Sequence, residues 1–172
     1  MKKIGFIGTG LMGFPMAKNI LKSGYKLKAF NRSSSKAKAL EEFGAEITMT
    51  LSELVKDSEI IITMLTDDEA IDEVMGSLNF LDNLKPGSIV IDMSSIKPIT
   101  AKKHEKNLSF KKIKYLDAPV SGGTIGAEDG SLAIMIGGEK KVFKEVEDLL
   151  KTMGNPTLVG PVGSGQVSKL AN

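Results

Sequence analysis

Gly8, Gly10 and Gly13 stand at the spacing G-x-G-x-x-G, within Gly8-Thr9-Gly10-Leu11-Met12-Gly13. A turn of this kind can hold a pyrophosphate: the first glycine permits the tight turn, the second lets backbone approach the phosphates, and the third lets a helix pack against a strand. Free N–H groups and the positive dipole end of that helix supply the attraction. Gly8, Gly10, Leu11, Met12 and Gly13 are therefore the candidate phosphate-binding residues. About twenty residues on, where a nucleotide's ribose would be read, stands Asn31-Arg32-Ser33. NAD-selective sites place a carboxylate there, which would repel a 2′-phosphate. A guanidinium can instead bind that phosphate with two charge-assisted hydrogen bonds, and Asn and Ser can add neutral ones. This predicts NADP(H) as the preferred cofactor, with NAD(H) possible; the competing reading leaves Arg32 as an exposed loop charge.

The glycine motif carries this meaning only between a strand and a helix. Lys3-Ile4-Gly5-Phe6-Ile7 is an apolar run of strand length, and apolar residues at Met12, Met16, Ala17, Ile20 and Leu21 follow a 3.6-residue period that Gly24 ends. Tyr25 to Phe30 reads as a second strand and Lys36 to Phe43 as a helix, capped from Ser33-Ser34-Ser35 and ended by Gly44. Ile47 to Met49 reads as a short strand, Ser52 to Lys56 as a small helix, and the apolar Ile60 to Leu65 as a strand covered on both faces. Asp67 and Asp68 can cap a helix over Glu69 to Met75. Pro86-Gly87 turns the chain into a strand at Ile89 to Asp92, and Pro98 opens a helix running to Asn107. A strand near Tyr115 to Asp117, a glycine-rich loop from Ser121 to Gly130, a strand over Leu132 to Ile136 and a helix over Glu139 to Met153 complete the order. The alternation predicts an α/β, Rossmann-type fold with a doubly wound, mostly parallel sheet. Ligands of such sheets bind beyond the carboxyl ends of the strands, so the loops at 8–13, 31–33, 64–67 and 93–95 should converge.

Composition narrows the classes. The 172 residues suffice for one domain with a full core, and 23 basic against 21 acidic residues give +2, too balanced for a nucleic-acid surface. No apolar run is long enough for a membrane span and the N-terminus leads straight into a strand, so no membrane partner and a cytoplasmic location are expected. With no cysteine and only His104, no metal site of the usual kind is expected. His104, in Lys102-Lys103-His104-Glu105-Lys106, is expected on a solvated helix face. The methionines read as core or groove packing.

The runs GFIGTGLMGFPMAKNI, FNRS, ITMLTDDEAIDEV, IVIDMSSI, YLDAPVSGGTIGAEDGSLAIMIGG and GSGQVSKLAN, in this order over essentially the whole chain, resemble the β-hydroxyacid dehydrogenase family. The resemblance implies a substrate-carboxylate loop in Asp117-Ala118-Pro119-Val120-Ser121-Gly122-Gly123, with Ser121, Gly122 and Gly123 binding the small carboxylate substrate. It implies a catalytic lysine in Gly163-Ser164-Gly165-Gln166-Val167-Ser168-Lys169, so Lys169 is the candidate general acid and base. Met64, Leu65 and Thr66 would line the cofactor groove, and Ser95 would touch the cofactor near its reacting ring. Thr66 stands where proline is usual in the family and Ser95 where threonine is usual.

The resemblance also implies a cofactor domain over residues 1–162 and, over 163–172, the start of an interdomain helix. The family's C-terminal all-helical domain, which completes the substrate pocket and the homo-oligomer, is expected to be absent from this chain. The family's substrate-binding asparagine would fall at position 173, one place beyond Asn172. The implied function is interconversion of a small β-hydroxyacid with its semialdehyde or oxo acid. The alternatives are a non-catalytic NADP-binding module and an imine reductase-like enzyme, the latter disfavoured by Lys169.

Overall fold

The computed structural model describes residues 1–172. Ile4, Phe6, Ile60, Ile62, Ile89 and Ile91 turn to one face of a sheet, and Ile7, Ile61 and Val90 to the other. Both faces are apolar because helices cover both, which is what the near-continuous isoleucine and valine runs require.

The first half of the chain runs β1 (Ile4–Ile7), α1 (Gly13–Lys22), β2 (Leu27–Phe30), α2 (Ser34–Lys38), β3 (Glu46–Ile47), α3 (Leu51–Lys56), β4 (Ile60–Thr63), α4 (Asp68–Met75), α5 (Leu78–Leu81) and β5 (Ile89–Asp92). The second half adds α6 (Pro98–Ser109), β6 (Lys114–Asp117), β7 (Val120–Ser121), α7 (Gly123–Asp129), β8 (Leu132–Gly137), α8 (Lys140–Lys151), β9 (Gly154–Gly160) and α9 (Ser164–Ala171). The sheet order is β3-β2-β1-β4-β5-β6-β8-β7, with β9 paired to β8. From β3 to β6 all pairings are parallel; β8 runs antiparallel to β6 and β7, and β9 parallel to β8. This is the Rossmann-type, doubly wound α/β fold, its order reversing between β1 and β4. No helix is long and apolar enough to cross a membrane.

Several elements differ from the sequence expectation. The second helix shortens to α2 and tightens into a 3-10 turn over Ala39–Phe43, which Gly44 ends at φ 95°. Thr50 and Glu53 cap α3 reciprocally, Glu53 N–H donating to Thr50 Oγ1 and Met49 N–H to Glu53 Oε2. The stretch from Ser121 to Gly130, expected as a loop, contains α7. Gly122 and Gly123 make the reversal at φ 140° and 62°, Ala127 is buried, and Asn19 Nδ2 of α1 donates to Ala127 O at 2.8 Å. Packing on α1 thus makes a helix from residues whose propensity favours a turn. β7, β9 and α5 were not anticipated; in β9 the glycine ends and Pro156 weaken the strand pattern, and an edge position tolerates them.

His104 is corrected most plainly. It is 4% exposed, because Ala101, His104 and Leu108 form the inward stripe of α6 beneath a run of charges. Its Nε2 lies 2.9 Å from Asp72 Oδ1 without the alignment of a hydrogen bond, and burial holds its pKa below the ordinary imidazole value.

Candidate functional site

Beyond the carboxyl ends of β1, β2 and β4 lies a cleft of about 650 Å³, lined by Gly8, Gly10, Asn31, Arg32, Ser33, Met64, Leu65 and Thr66, with Lys36 from α2 and Glu73 from α4. The glycines divide their roles as their surroundings dictate. Gly8 adopts φ 100°, donates its N–H to Phe30 O at 3.0 Å and has no room for a Cβ beside the Met64 carbonyl. A Cβ on Gly13 would strike the Gly8 carbonyl, so the start of α1 sits hard against the turn. Around Gly10 there is no atom within 4 Å of where a Cβ would stand. The N–H groups of Gly10, Leu11, Met12 and Gly13 have no acceptor within the protein. Four orphaned donors at a helix N-terminus, fronted by open space at Gly10, fit a pyrophosphate.

Asn31 works inside the protein. Its Oδ1 accepts the Thr9 N–H at 2.9 Å and its Nδ2 donates to Ser33 O at 3.0 Å, tying the glycine turn to the loop that carries Arg32. The Leu11 side chain is exposed, whereas Met12 packs against the core. Arg32 Nη2 lies 3.0 Å from Glu73 Oε2 across the mouth of the cleft. A further cleft of about 400 Å³ sits at the amino ends of β1 and β2, where Asp57 and Glu46 hold Lys28. That is the end of the sheet away from the convergent loops, so it is no candidate.

Ser95, just after β5, and Lys169, on α9, line one small depression with Asp68, Ile96 and Gln166. The N-terminus of α9 is held by Asp117, whose buried carboxylate accepts Gly163 N–H at 2.7 Å and Gln166 N–H at 3.0 Å. Gln166 is itself buried; its Oε1 accepts Ile96 N–H at 3.1 Å and its Nε2 donates to Ser94 O at 2.8 Å. Ser94 Oγ in turn accepts Leu65 N–H at 2.8 Å, and Ser94 N–H and Thr63 Oγ1 both donate to Asp92 Oδ1 at 3.0 Å. Burial pushes the Asp92 carboxyl up to about 6 against the pull of the Ser94 and Thr63 hydrogen bonds. It raises Asp117 too, opposed by the N–H groups of Gly163 and Gln166.

Residues 3–163 match the family model of the NAD-binding domain of 6-phosphogluconate dehydrogenase. An uncharacterized oxidoreductase of Bacillus subtilis is 43% identical across 99% of this chain and 60% of its own length. The 2-hydroxy-3-oxopropionate reductase of Escherichia coli is 41% identical across 99% of this chain and 59% of its own. The chain belongs to the β-hydroxyacid dehydrogenase family. Among solved structures, the 3-hydroxyisobutyrate dehydrogenase of Mycobacterium tuberculosis, determined with L-serine, superposes with a TM-score of 0.96 at 29% identity, over 100% of this chain and 59% of that one. The chain thus spans about three fifths of the length of the relatives it matches.

For a β-hydroxyacid dehydrogenase domain, the remaining motif residues fall on the far part of the sheet. Ser121 ends β7, half-buried and in register with Ala133 of β8, while Gly122 and Gly123 are exposed at the start of α7. This loop lines neither the cleft nor the depression that holds Ser95 and Lys169. Lys36, Glu73 and the Asp117–Gln166 clamp were passed over in the sequence. Gln166 lies inside the lysine motif and Asp117 heads the carboxylate loop, so each was visible only as a neighbour of the residue given the role.

Proposed function

We propose that this domain serves an NADP(H)-preferring oxidoreductase that interconverts a small β-hydroxyacid with its semialdehyde or oxo acid. The observation that carries the reading is the line of hydrogen bonds from Leu65 in the cleft through Ser94 to Gln166 on the helix of Lys169. It links the cleft beyond the strand ends to the helix that carries Lys169, one turn from the clamp. Gly10, Leu11, Met12 and Gly13 would hold the pyrophosphate, Arg32 and Ser33 the 2′-phosphate, and Met64, Leu65 and Thr66 the groove wall. Ser95 would lie near the reacting ring, and Ser121, Gly122 and Gly123 would take the substrate carboxylate with exposed N–H groups. The chemistry such a cofactor supplies when bound is hydride exchange with the substrate carbon. Lys169 Nζ, as ammonium, stabilises charge developing on the carbonyl oxygen and gives it a proton; as neutral amine it takes that proton back.

The relative named for 2-hydroxy-3-oxopropionate supports a small carboxylate substrate. A further helical domain after α9, a homo-oligomer formed through it and a cytoplasmic location belong to the same reading. Calorimetric titration with NADPH and NADH tests it: NADPH should bind more tightly, with the preference collapsing in Arg32→Ala. Equal binding of NADH overturns the NADP(H) preference, and binding of neither overturns the dehydrogenase reading.

A further inference from the structure

Two opposed charges, Arg32 and Glu73, face each other at the mouth of this cleft. Arg32 follows β2, where a 2′-phosphate would be read. Glu73 reaches the same mouth from α4, its Oε2 3.0 Å from Arg32 Nη2, and both side chains line the cleft. No carboxylate stands at the end of β2, where NAD-selective sites carry theirs. The acid arrives instead from α4, two helices beyond α2, aimed at the same guanidinium.

We infer that Glu73 is a cofactor-specificity residue that opposes Arg32, weakening the hold on a 2′-phosphate and keeping a 2′-hydroxyl acceptable. This rests on the cofactor reading above. The pair is open to water, with side chains 82% and 69% exposed, so the ion pair itself restrains Arg32 only slightly. The larger effect is repulsion. A phosphate seated on Arg32 must come near the carboxylate already beside that guanidinium, and a like charge about 4 Å away in water weakens binding about fivefold. A 2′-hydroxyl meets no such penalty and can donate to the carboxylate. Lys36, on the same cleft wall, adds positive charge that partly offsets Glu73.

The test is calorimetric titration of the protein and its Glu73→Gln variant with NADPH and NADH, with Glu69→Gln as control. Glu69 is exposed on the same helix and lies outside the cleft. In Glu73→Gln the preference for NADPH over NADH should rise about fivefold, chiefly through tighter NADPH binding, and in Glu69→Gln it should stay within about twofold. An unchanged preference in Glu73→Gln, or an equal rise in Glu69→Gln, overturns the inference while a wild-type NADPH preference leaves the cofactor reading standing. A wild-type protein with no NADPH preference overturns the cofactor reading, and the inference falls with it unless Glu73→Gln restores that preference.

Discussion

The side chain of Gln166 grips the backbone on both sides of Ser95: its Nε2 donates to Ser94 O at 2.8 Å and its Oε1 accepts Ile96 N–H at 3.1 Å. Ser95 and Lys169, three residues beyond Gln166, are thereby set by one buried amide. Replacing Gln166 with leucine keeps the volume and strands two buried backbone groups, each costing about 1–3 kcal/mol. Gln166→Leu should therefore lower the denaturant midpoint by an amount worth about 2–6 kcal/mol at unchanged slope. Amide exchange in α9 should quicken beyond the global change, and a variant of wild-type stability and exchange would remove the clamp from the account.

The glycines of the turn should separate stability from binding. Gly8→Ala forces a side chain into a left-handed backbone and into the Met64 carbonyl, so it should destabilise the fold by several kcal/mol or abolish folding. Gly10→Ala meets nothing within 4 Å. It should melt within a few degrees of the parent yet lose NADPH affinity, because the added methyl occupies the side from which a phosphate would approach. Thermal melts and titrations of the pair decide it: Gly10→Ala binding as tightly as the parent places the phosphates elsewhere.

Asp92 and Asp117 are register partners on β5 and β6, both fully buried. Burial raises Asp92 from 3.8 to about 6, so the folded state holds its proton where the unfolded state has released it. That contribution is complete below roughly pH 4 and is lost as pH rises through about 6, an effect of about 2–3 kcal/mol. Asp92→Asn keeps an acceptor for Thr63 and Ser94 without the charge. Compared at acid and neutral pH, the variant should gain stability relative to the parent by about that amount; parallel stability curves would show that Asp92 is ionised at little cost.

Much of the fold was legible in the sequence because both signals it depends on are local. The isoleucine runs at Ile60–Thr63 and Ile89–Asp92 can only be strands covered on two faces, and Asp67 caps α4 through Ala70 N–H as its position implied. Contacts between distant residues were not legible. α7 exists because Asn19, more than a hundred residues earlier, accepts its packing and bonds Ala127 O, and His104 is buried because α6 turns one stripe of a charged run inward. In the site, the glycine spacing pointed to the turn. The amide of Asn31, suggested for a 2′-phosphate, bonds Thr9 and Ser33 instead, and Glu73 opposite Arg32 follows from the placing of α4, which no window of sequence contains.

His104 offers a test that needs no variant, since it is the only histidine. Its pKa is lowered by burial, with the nearby Asp72 pulling the other way. The unfolded chain therefore takes up the proton first, and this contribution to stability is intact above the ordinary imidazole range and lost as pH falls through it. NMR titration of the imidazole should give a midpoint below the unfolded value. A raised midpoint would mean that the Asp72 contact outweighs burial.

Lys169 carries the sharpest prediction about chemistry. It lies on α9 in the depression shared with Ser95, outside the cleft proposed for the nucleotide. Removing it should leave NADPH affinity nearly unchanged while lowering turnover of a small β-hydroxyacid about 10²–10⁴-fold, the usual scale for a lost acid–base group. Lys169→Met and Lys169→Arg distinguish its two roles. Arginine keeps a positive charge near the developing oxyanion but does not give up a proton at neutral pH. If proton transfer is the larger contribution, both variants should fall together; if charge stabilisation dominates, the arginine should recover much of the loss. Equal kcat in all three proteins would take the general acid–base role away from Lys169.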